Sequence, residues 1–273
     1  MQPFKEMQQV SAYNKKRPPR RSPSPKLTAN SLFTFTTKLR YLESWINNGC
    51  ISARYCIEDI RYLKIGIPKI ALPMKCFCDI NIHNLGEHLD WYGYFGLGFS
   101  KEWGTQNGIQ PIQYVNEKSA LGKDFRKAFK QALKDNTSAN KLLRNYIADQ
   151  LVYFKPCMGK MLNRLTNRTI EKCFTDESEW RFVPDVSSLD MPQILSKDSQ
   201  LLDIVLARLS DALNNQPAAS IPFNYQDIKY IVIENKSCLA TLISDFDKLP
   251  LSKNDRDYLV SKILIWDEIK EDI

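Results

Sequence analysis

Long apolar runs, histidines and regularly spaced cysteines are all scarce in this sequence of 273 residues. No stretch approaches the roughly 18 to 20 apolar residues that a membrane-spanning helix needs, and the N-terminus has no apolar core like that of a secretory signal. The seven cysteines include one close pair, Cys76 and Cys78, without the Cys-x-x-Cys or histidine spacing of a zinc site. We therefore expect reduced, structural thiols, no metal site, no membrane partner and a cytoplasmic protein.

The composition is otherwise that of a globular protein, with 43% hydrophobic and 25% charged residues. The formal net charge of +7 is concentrated at the N-terminus, because residues 1–30 hold seven basic residues and one acidic residue. This segment also mixes Pro, Ser and Arg without an apolar period, which is typical of a disordered arm. We expect an arm over 1–30 and one domain over 31–273. The arm is either a solvated tail or a contact for phosphates or a partner through its basic side chains, Lys15, Lys16, Arg17, Arg20 and Arg21.

The pattern of apolar residues predicts alternating strands and helices of unequal spacing. Strands are expected at 32–36, 70–80, 111–115, 180–183, 228–233 and 258–265. Helices are expected at 38–48, 57–64, 82–92, 101–103, 119–154, 201–213 and 235–246. The segments that connect the predicted strands vary in length and do not form regular strand–helix repeats. This favours an α+β fold with a mixed, mostly antiparallel sheet and flanking helices over a doubly wound parallel sheet.

Four sequence blocks resemble the AbiGi family of bacterial abortive-infection proteins. They are PMKCFCDI at 73–80, YGYFGLGFSKEWG at 92–104, ESEWRFVP at 177–184 and KILIWDEIKED at 262–272, with a weaker match at 111–115. The resemblance runs from about residue 31 to the end and leaves out the arm. It implies an antitoxin that binds a nucleotidyltransferase-like toxin, AbiGii, in defence against phage.

A more distant resemblance links the layout to ADP-ribosyltransferase-like proteins that act on nucleic acid. It implies a split sheet, NAD as cofactor and a catalytic Glu on a late strand. Thr34 stands where those proteins carry a His in their first strand, and it lacks the imidazole that would hold the nicotinamide ribose. The resemblance therefore leaves two classes of function open, a partner-binding protein without a cofactor and an NAD-dependent transferase.

Under the transferase hypothesis, the catalytic candidates are Glu177, Glu179 and His88. The two glutamates are two residues apart and share a face if both lie on a strand, where their like charges would raise one pKa. One could then stabilise an oxocarbenium-like transition state. The alternative is that Glu179 pairs with Arg181 or another basic neighbour on an ordinary strand.

The segment 88–104 supplies two candidate cofactor contacts, Tyr92 and Tyr94, and Thr34 is the third candidate. His88 and Tyr92 are four apart on a predicted helix and could line one cleft. The aromatic residues of this block can stack on a base or a ribose, or belong to the core. Asp79, which ends the preceding strand, can orient His88 or cap the next helix.

Overall fold

The computed structural model describes residues 28–134, 138–163 and 165–272. The five basic arm residues singled out above, which lie between positions 15 and 21, fall outside these ranges. Thr28 and Asn30 belong to the predicted arm and contact the domain, where they accept hydrogen bonds from Lys101 and Lys229 at 2.8 and 3.0 Å.

The strands and helices alternate irregularly along the described chain. The strands are β1 (Leu32–Thr36), β2 (Cys50–Ser52), β3 (Arg54–Asp59), β4 (Lys69–Cys78), β5 (Phe95–Phe99), β6 (Gln110–Pro111), β7 (Gln113–Val115), β8 (Phe154–Pro156), β9 (Met158–Asn163), β10 (Arg168–Cys173), β11 (Glu179–Phe182), β12 (Ser220–Pro222), β13 (Ile228–Ile233) and β14 (Ile263–Ile265). The helices are α1 (Leu39–Asn48), α2 (Leu85–Tyr92), α3 (Lys101–Gln106), α4 (Ala120–Ala132), α5 (Ser138–Tyr153), α6 (Asp203–Ala212), α7 (Lys236–Phe246), α8 (Lys253–Val260) and α9 (Trp266–Ile269). In the described part of the chain, no helix is both long and apolar enough to span a membrane.

An eight-stranded sheet forms the centre, in the order β14-β13-β5-β1-β4-β11-β6 with β3 also paired to β4. All its pairings are antiparallel except β13 with β14. Two-stranded sheets pair β9 with β10, β2 with β12 and, in parallel, β7 with β8. The prediction of an α+β fold with a mixed, mostly antiparallel sheet is confirmed.

Helices cover both faces of this sheet, and the alternation of side chains along β1 shows how. Leu32 packs in a core that includes residues of α1, α7 and α8, whereas its neighbour Phe33 packs with α2 and α9 on the opposite face. A third core, between β4 and the helices α4 and α5, includes Leu72, Phe129 and Leu151.

The glycines of β5 allow β1 to lie close beside it. A Cβ atom on Gly98 would lie 2.6 Å from the ring of Phe33, and one on Gly96 would lie 2.4 Å from the ring of Phe35. These contacts are shorter than any that Cβ atoms make. The glycines of β5 therefore make room for the rings of a neighbouring strand.

Several local predictions are wrong. Residues 57–59, expected in a helix, continue β3, and residues 258–260, expected in a strand, belong to α8 after the Ser252 hydroxyl caps that helix. The helix expected at 201–213 is shorter, Asp203–Ala212, and within the expected range Leu202 and Ile204 are exposed, whereas Leu206 and Leu213 are buried. The hairpin of β9 and β10 was not predicted.

Candidate functional site

The candidate site is built around β11, which lies beside β4 in the central sheet. Glu179 and Arg181 are two residues apart on this strand and face the same side, directly opposite Cys78 and Cys76 of β4. This is the face of the sheet that carries α2. The Arg181 Nε donates to Glu179 Oε1 at 2.6 Å, and the Arg181 side chain is fully buried. The alternative interpretation, in which Glu179 pairs with Arg181, is confirmed.

A buried lysine bridges the two candidate glutamates. Lys155 of β8 donates to Glu177 Oε2 and to Glu179 Oε2, both at 2.6 Å. Glu177 does not lie on the strand with Glu179, because it ends a short 3-10 turn and is followed by Ser178 in the left-handed region, with a φ of 41°. The two carboxylates meet through the lysine rather than through a shared strand face.

The other oxygen of Glu177 receives two further donors. The Lys172 ammonium of β10 lies 2.7 Å from Glu177 Oε1, and the Tyr92 hydroxyl at the end of α2 donates to the same oxygen. Every contact of this carboxylate is thus with a donor from a different element. Glu177 therefore joins β8, β10 and α2.

At the opposite end, Arg181 connects the site to β3. Its NH2 group lies 3.1 Å from Glu58 Oε2, and its NH1 group donates to the carbonyl oxygen of Val152 at 2.8 Å. Three acidic and three basic side chains thus form one chain of ion pairs. We call it the six-charge cluster, and its members are Glu58, Lys155, Lys172, Glu177, Glu179 and Arg181.

Aromatic rings cover the two lysines of the cluster. The Lys155 ammonium lies 4.8 Å from the centre of the Phe174 ring, and that of Lys172 lies 4.3 and 4.6 Å from the rings of Trp91 and Tyr92. Such contacts stabilise a cation where water is excluded. The rings therefore help to retain charge on both lysines in a buried setting.

The neighbouring positive charges keep the carboxylates of Glu177 and Glu179 ionised. Burial alone would raise the pKa of Glu177, but the charges of Lys155 and Lys172 lower it below its ordinary value. Burial likewise opposes ionisation of Glu179, and the charges of Arg181 and Lys155 lower the pKa of that carboxyl more strongly. The prediction that like charges would raise one of the two pKa values is wrong, because Lys155 lies between them.

The pKa values of the two lysines, Lys155 and Lys172, shift in opposite directions. Burial would lower the pKa of Lys155, but the carboxylates of Glu179, Glu58 and Glu177 raise it well above its ordinary value. For Lys172, burial outweighs the attraction of Glu177 and the pKa is lowered. Burial also raises the pKa of Tyr92, so its hydroxyl stays protonated and can donate to Glu177. The cluster is therefore neutral as a whole, with three positive and three negative charges.

The structure brings some of the predicted site residues together. His88 packs against Tyr92, with ring centres 4.5 Å apart, and Tyr92 touches Glu177. Burial lowers the pKa of His88, which keeps its imidazole neutral at pH 7. No direct contact joins His88 to either glutamate among the described hydrogen bonds. Tyr94 lies outside the cluster, where its hydroxyl donates to Asp90 at 2.5 Å.

Thr34 lies on the other side of the sheet. It is paired with Leu97, and both face the core formed with α1, α7 and α8. Glu179 is paired with Cys78, which in turn is paired with Phe33 on the face that carries α2. The sheet therefore separates Thr34 from Glu179, and the predicted group of Thr34, Tyr92 and Glu179 does not converge.

The remaining polar and aromatic candidates have structural contacts. Asp79 neither orients His88 nor caps the next helix, because its Oδ2 lies 2.5 Å from the Lys101 ammonium. Phe95 and Trp103 are buried in the main core, as the alternative interpretation of the aromatic block predicted. Within the described residues, no group of three His, Cys, Asp or Glu side chains could hold a metal ion.

Sequence reasoning missed Lys155, Lys172 and Glu58 as site residues. Lysines are mostly exposed, so nothing in the local pattern marks two of them as buried. One signal was available for Lys155, which is followed by Pro156 and preceded by the apolar run of α5 and Phe154. A lysine placed inside an apolar segment is a candidate for a buried ion pair.

The six-charge cluster is suited to holding strands and helices of the domain in place. Each carboxylate oxygen of Glu177 and Glu179 contacts at least one donor at hydrogen-bond distance. A general base or a charge-stabilising carboxylate needs an oxygen that is free to meet the substrate. The cluster instead joins the hairpin of β9 and β10 to α2 and β11 through Lys172. A separate contact adds to this, because Asn163 of β9 donates to the carbonyl oxygen of Asp90 in α2 at 3.0 Å.

Comparison with known proteins gives one family. The family model described as "Putative abortive phage resistance protein AbiGi, antitoxin" matches residues 50–234 of the chain. The chain is also 32% identical over 243 residues to the abortive phage resistance protein AbiGi of Lactococcus lactis subsp. cremoris, an alignment that covers 80% of this chain and 98% of the relative. No solved structure matches the chain.

Proposed function

The chain belongs to the AbiGi family of abortive phage resistance proteins, and we propose that it acts as an antitoxin by binding a protein partner. The observation that carries this proposal is the hairpin of β9 and β10. The six-charge cluster fixes one face of the hairpin to the domain and leaves the other face open. A β-ribbon with one open, exposed face is a surface suited to binding a partner.

The outer face of the hairpin is fully exposed. The cross-strand register places alternate residues of β9 and β10 on this face. All six are exposed: Met158, Lys160, Leu162, Thr169, Glu171 and Cys173. The opposite face carries Asn163 and Lys172, which bind the domain. The hairpin therefore has distinct anchoring and outward sides.

Apolar side chains are concentrated on this hairpin. Met158 and Leu162 are 66% and 49% exposed on the outer face, Leu165 is exposed in the turn between the strands, and Ile170 is exposed on the opposite face. Exposed apolar groups that lie together on a surface mark sites of protein association. A two-stranded ribbon is also marginally stable alone, so a partner that covers its outer face would stabilise it. This supports a protein as the ligand of the hairpin.

The occupied carboxylates of the six-charge cluster favour a binding function over a catalytic one. Its carboxylates are occupied by lysine, arginine and tyrosine donors, and Thr34 lies beyond the sheet. An NAD-dependent transferase needs an accessible carboxylate beside a nicotinamide site. The family resemblance supports a toxin as the partner, and we propose one of the nucleotidyltransferase-like AbiGii type.

The test is co-expression of the chain with an AbiGii-type toxin. We expect wild type to restore growth and to form a complex that elutes as one species in size-exclusion chromatography. The Met158→Ser/Leu162→Ser variant should weaken this complex at least about tenfold, because it removes both large apolar side chains of the outer face. The matched control is Leu202→Ser/Ile204→Ser, which removes two similarly exposed apolar groups at the start of α6.

Three outcomes would oppose the proposal. Absence of a complex with wild type would contradict the antitoxin function itself. Equal loss in the hairpin and control variants would contradict the hairpin as the binding surface. Release of nicotinamide from NAD by wild type, lost in a folded Glu179→Gln variant, would favour the transferase.

A further inference from the structure

One helix of the domain carries a line of four lysines on its solvent face. Lys123, Lys127 and Lys130 lie on α4, and Lys134 follows its last turn, where its amide donates to the carbonyl oxygen of Gln131. The intervals are four, three and four residues, so the four side chains project from the same side of the helix. We call this line the lysine stripe.

The stripe lies opposite the buried side of the helix. Phe125, Phe129 and Ala132 are buried against α5 and β4, whereas all four lysines are exposed. Lys127 makes an open contact with Asp124, whose side chain is 70% exposed. Among the described residues, no carboxylate lies within 4.0 Å of the ammonium groups of the other three lysines. The positive charge of the stripe is therefore available to a ligand.

Positive charge is also concentrated in the sequence around this helix. Residues 117–134 contain six basic and two acidic residues, although the chain outside the arm is nearly neutral. The arm is thus not the single basic region of the protein. A local excess of this kind attracts polyanions even when the net charge of a domain is small.

The dimensions of the stripe suit a nucleic-acid backbone. Eleven residues separate its first and last lysine, so it extends for about 16 Å at 1.5 Å per residue. Double-stranded DNA carries one negative charge for about every 1.7 Å of its axis, and one α-helix laid against it meets several phosphates. Lysine acts as a point charge, which positions a protein on phosphates without reading bases.

We propose that the lysine stripe binds the phosphate backbone of double-stranded DNA without sequence preference. The stripe has no aromatic side chain on which unpaired bases could stack, which favours a duplex over a single strand. Its ammonium groups donate to phosphate oxygens, and the stripe holds no acceptor for a 2′-hydroxyl donor, so nothing in it selects RNA over DNA. Because the side of α4 opposite the stripe is packed against the domain, the helix lies across the backbone and does not enter a groove.

The experiment measures binding of the full chain to a short mixed-sequence DNA duplex by fluorescence anisotropy, between about 50 and 200 mM salt. The variant replaces all four lysines of the stripe by glutamine. We expect its affinity to fall at least about tenfold at the lowest salt. Its plot of log affinity against log salt should be shallower than that of wild type by about 3 to 4, since each lost phosphate contact removes about 0.9.

The matched control removes four exposed lysines elsewhere, at Lys38, Lys69, Lys197 and Lys253. It has the same net charge as the stripe variant. It should keep most of the wild-type affinity and most of the wild-type slope of log affinity against log salt. Equal losses in the two variants would show a response to net charge alone and would overturn the proposal. Unchanged binding by the stripe variant, or tighter binding of wild type to single-stranded DNA or duplex RNA, would also overturn it. Unfolding curves of both variants establish that any loss is not a loss of fold.

Discussion

The six-charge cluster and the lysine stripe use the same kinds of residue in opposite surroundings. The cluster contains three basic side chains, each within 3.1 Å of at least one carboxylate and packed between strands. The stripe contains four basic side chains on one exposed helix face, and only one of them contacts a carboxylate. The cluster is neutral, whereas the stripe has one sign of charge.

The difference bears on which charges hold the fold and which are available to a ligand. A buried ion cluster is costly to assemble, and breaking it by removing one partner leaves an uncompensated charge in the interior. An exposed line of like charges adds little or no stability. We therefore expect substitutions in the cluster to affect folding, and substitutions in the stripe to affect binding.

The largest effect is expected for Arg181→Met. This change keeps an unbranched apolar stem but leaves the buried carboxylate of Glu179 and the half-buried carboxylate of Glu58 short of one cation. Loss of one partner of a buried ion pair costs about 3 to 5 kcal/mol. Urea unfolding followed by circular dichroism measures the change in the free energy of unfolding.

The control for this prediction is Arg256→Met, which breaks an ion pair with the half-exposed Asp247. It should change the free energy of unfolding far less, since surface pairs contribute little. Equal effects of the two substitutions would contradict the distinction between buried and exposed charges.

The fold was more predictable than this cluster. The strands at 32–36 and 228–233 are recognisable in the sequence because they are rich in apolar and β-branched residues, most of which the structure buries. The hairpin of β9 and β10 was not, because its exposed residues give no alternation of apolar and polar positions. Lys172 could not be recognised as buried without that hairpin. Long-range pairing decides its surroundings, and local sequence does not contain that information.

A second effect concerns pH. The pKa values of Glu177 and Glu179 are lowered in the folded protein, against about 4.3 for an unfolded glutamate. Their contribution to stability is therefore complete above about pH 4.3 and is lost as the pH falls through the folded pKa values. We expect the free energy of unfolding to decline steadily from about pH 5 toward pH 2.

The double variant Glu177→Gln/Glu179→Gln separates these two groups from the other carboxylates. Relative to its own stability at pH 7, it should lose less over the same acidic range, because it lacks the two carboxylates with lowered pKa values. Thermal unfolding at a series of pH values compares the two profiles. Parallel profiles would mean that neither glutamate has a lowered pKa.

A smaller effect is expected for Tyr92→Phe. The substitution removes the hydroxyl that donates to Glu177 and keeps the ring that packs on His88 and Lys172. Because Lys155 and Lys172 still bind Glu177, the loss should be about 1 to 2 kcal/mol, near that of one hydrogen bond to a charged group. The control is Tyr94→Phe, whose hydroxyl contacts the exposed Asp90 and should matter less in the same urea unfolding experiment. A larger loss in Tyr94→Phe would contradict the role of the cluster in joining α2 to the hairpin.

The smallest change in stability is expected when the four lysines of the stripe are replaced by glutamine. Lys123 and Lys127 are four residues apart, as are Lys130 and Lys134, and like charges at this spacing repel each other on a helix. Glutamine forms helices about as well as lysine, so the substitution removes repulsion and adds little strain. The lost contact of Lys127 with Asp124 acts in the opposite direction, but both side chains are well exposed. We therefore expect a free energy of unfolding within about 0.5 kcal/mol of wild type, with any departure toward higher stability. A loss as large as that of Tyr92→Phe would mean that the stripe supports the fold, and its lysines would then need no ligand to explain their alignment.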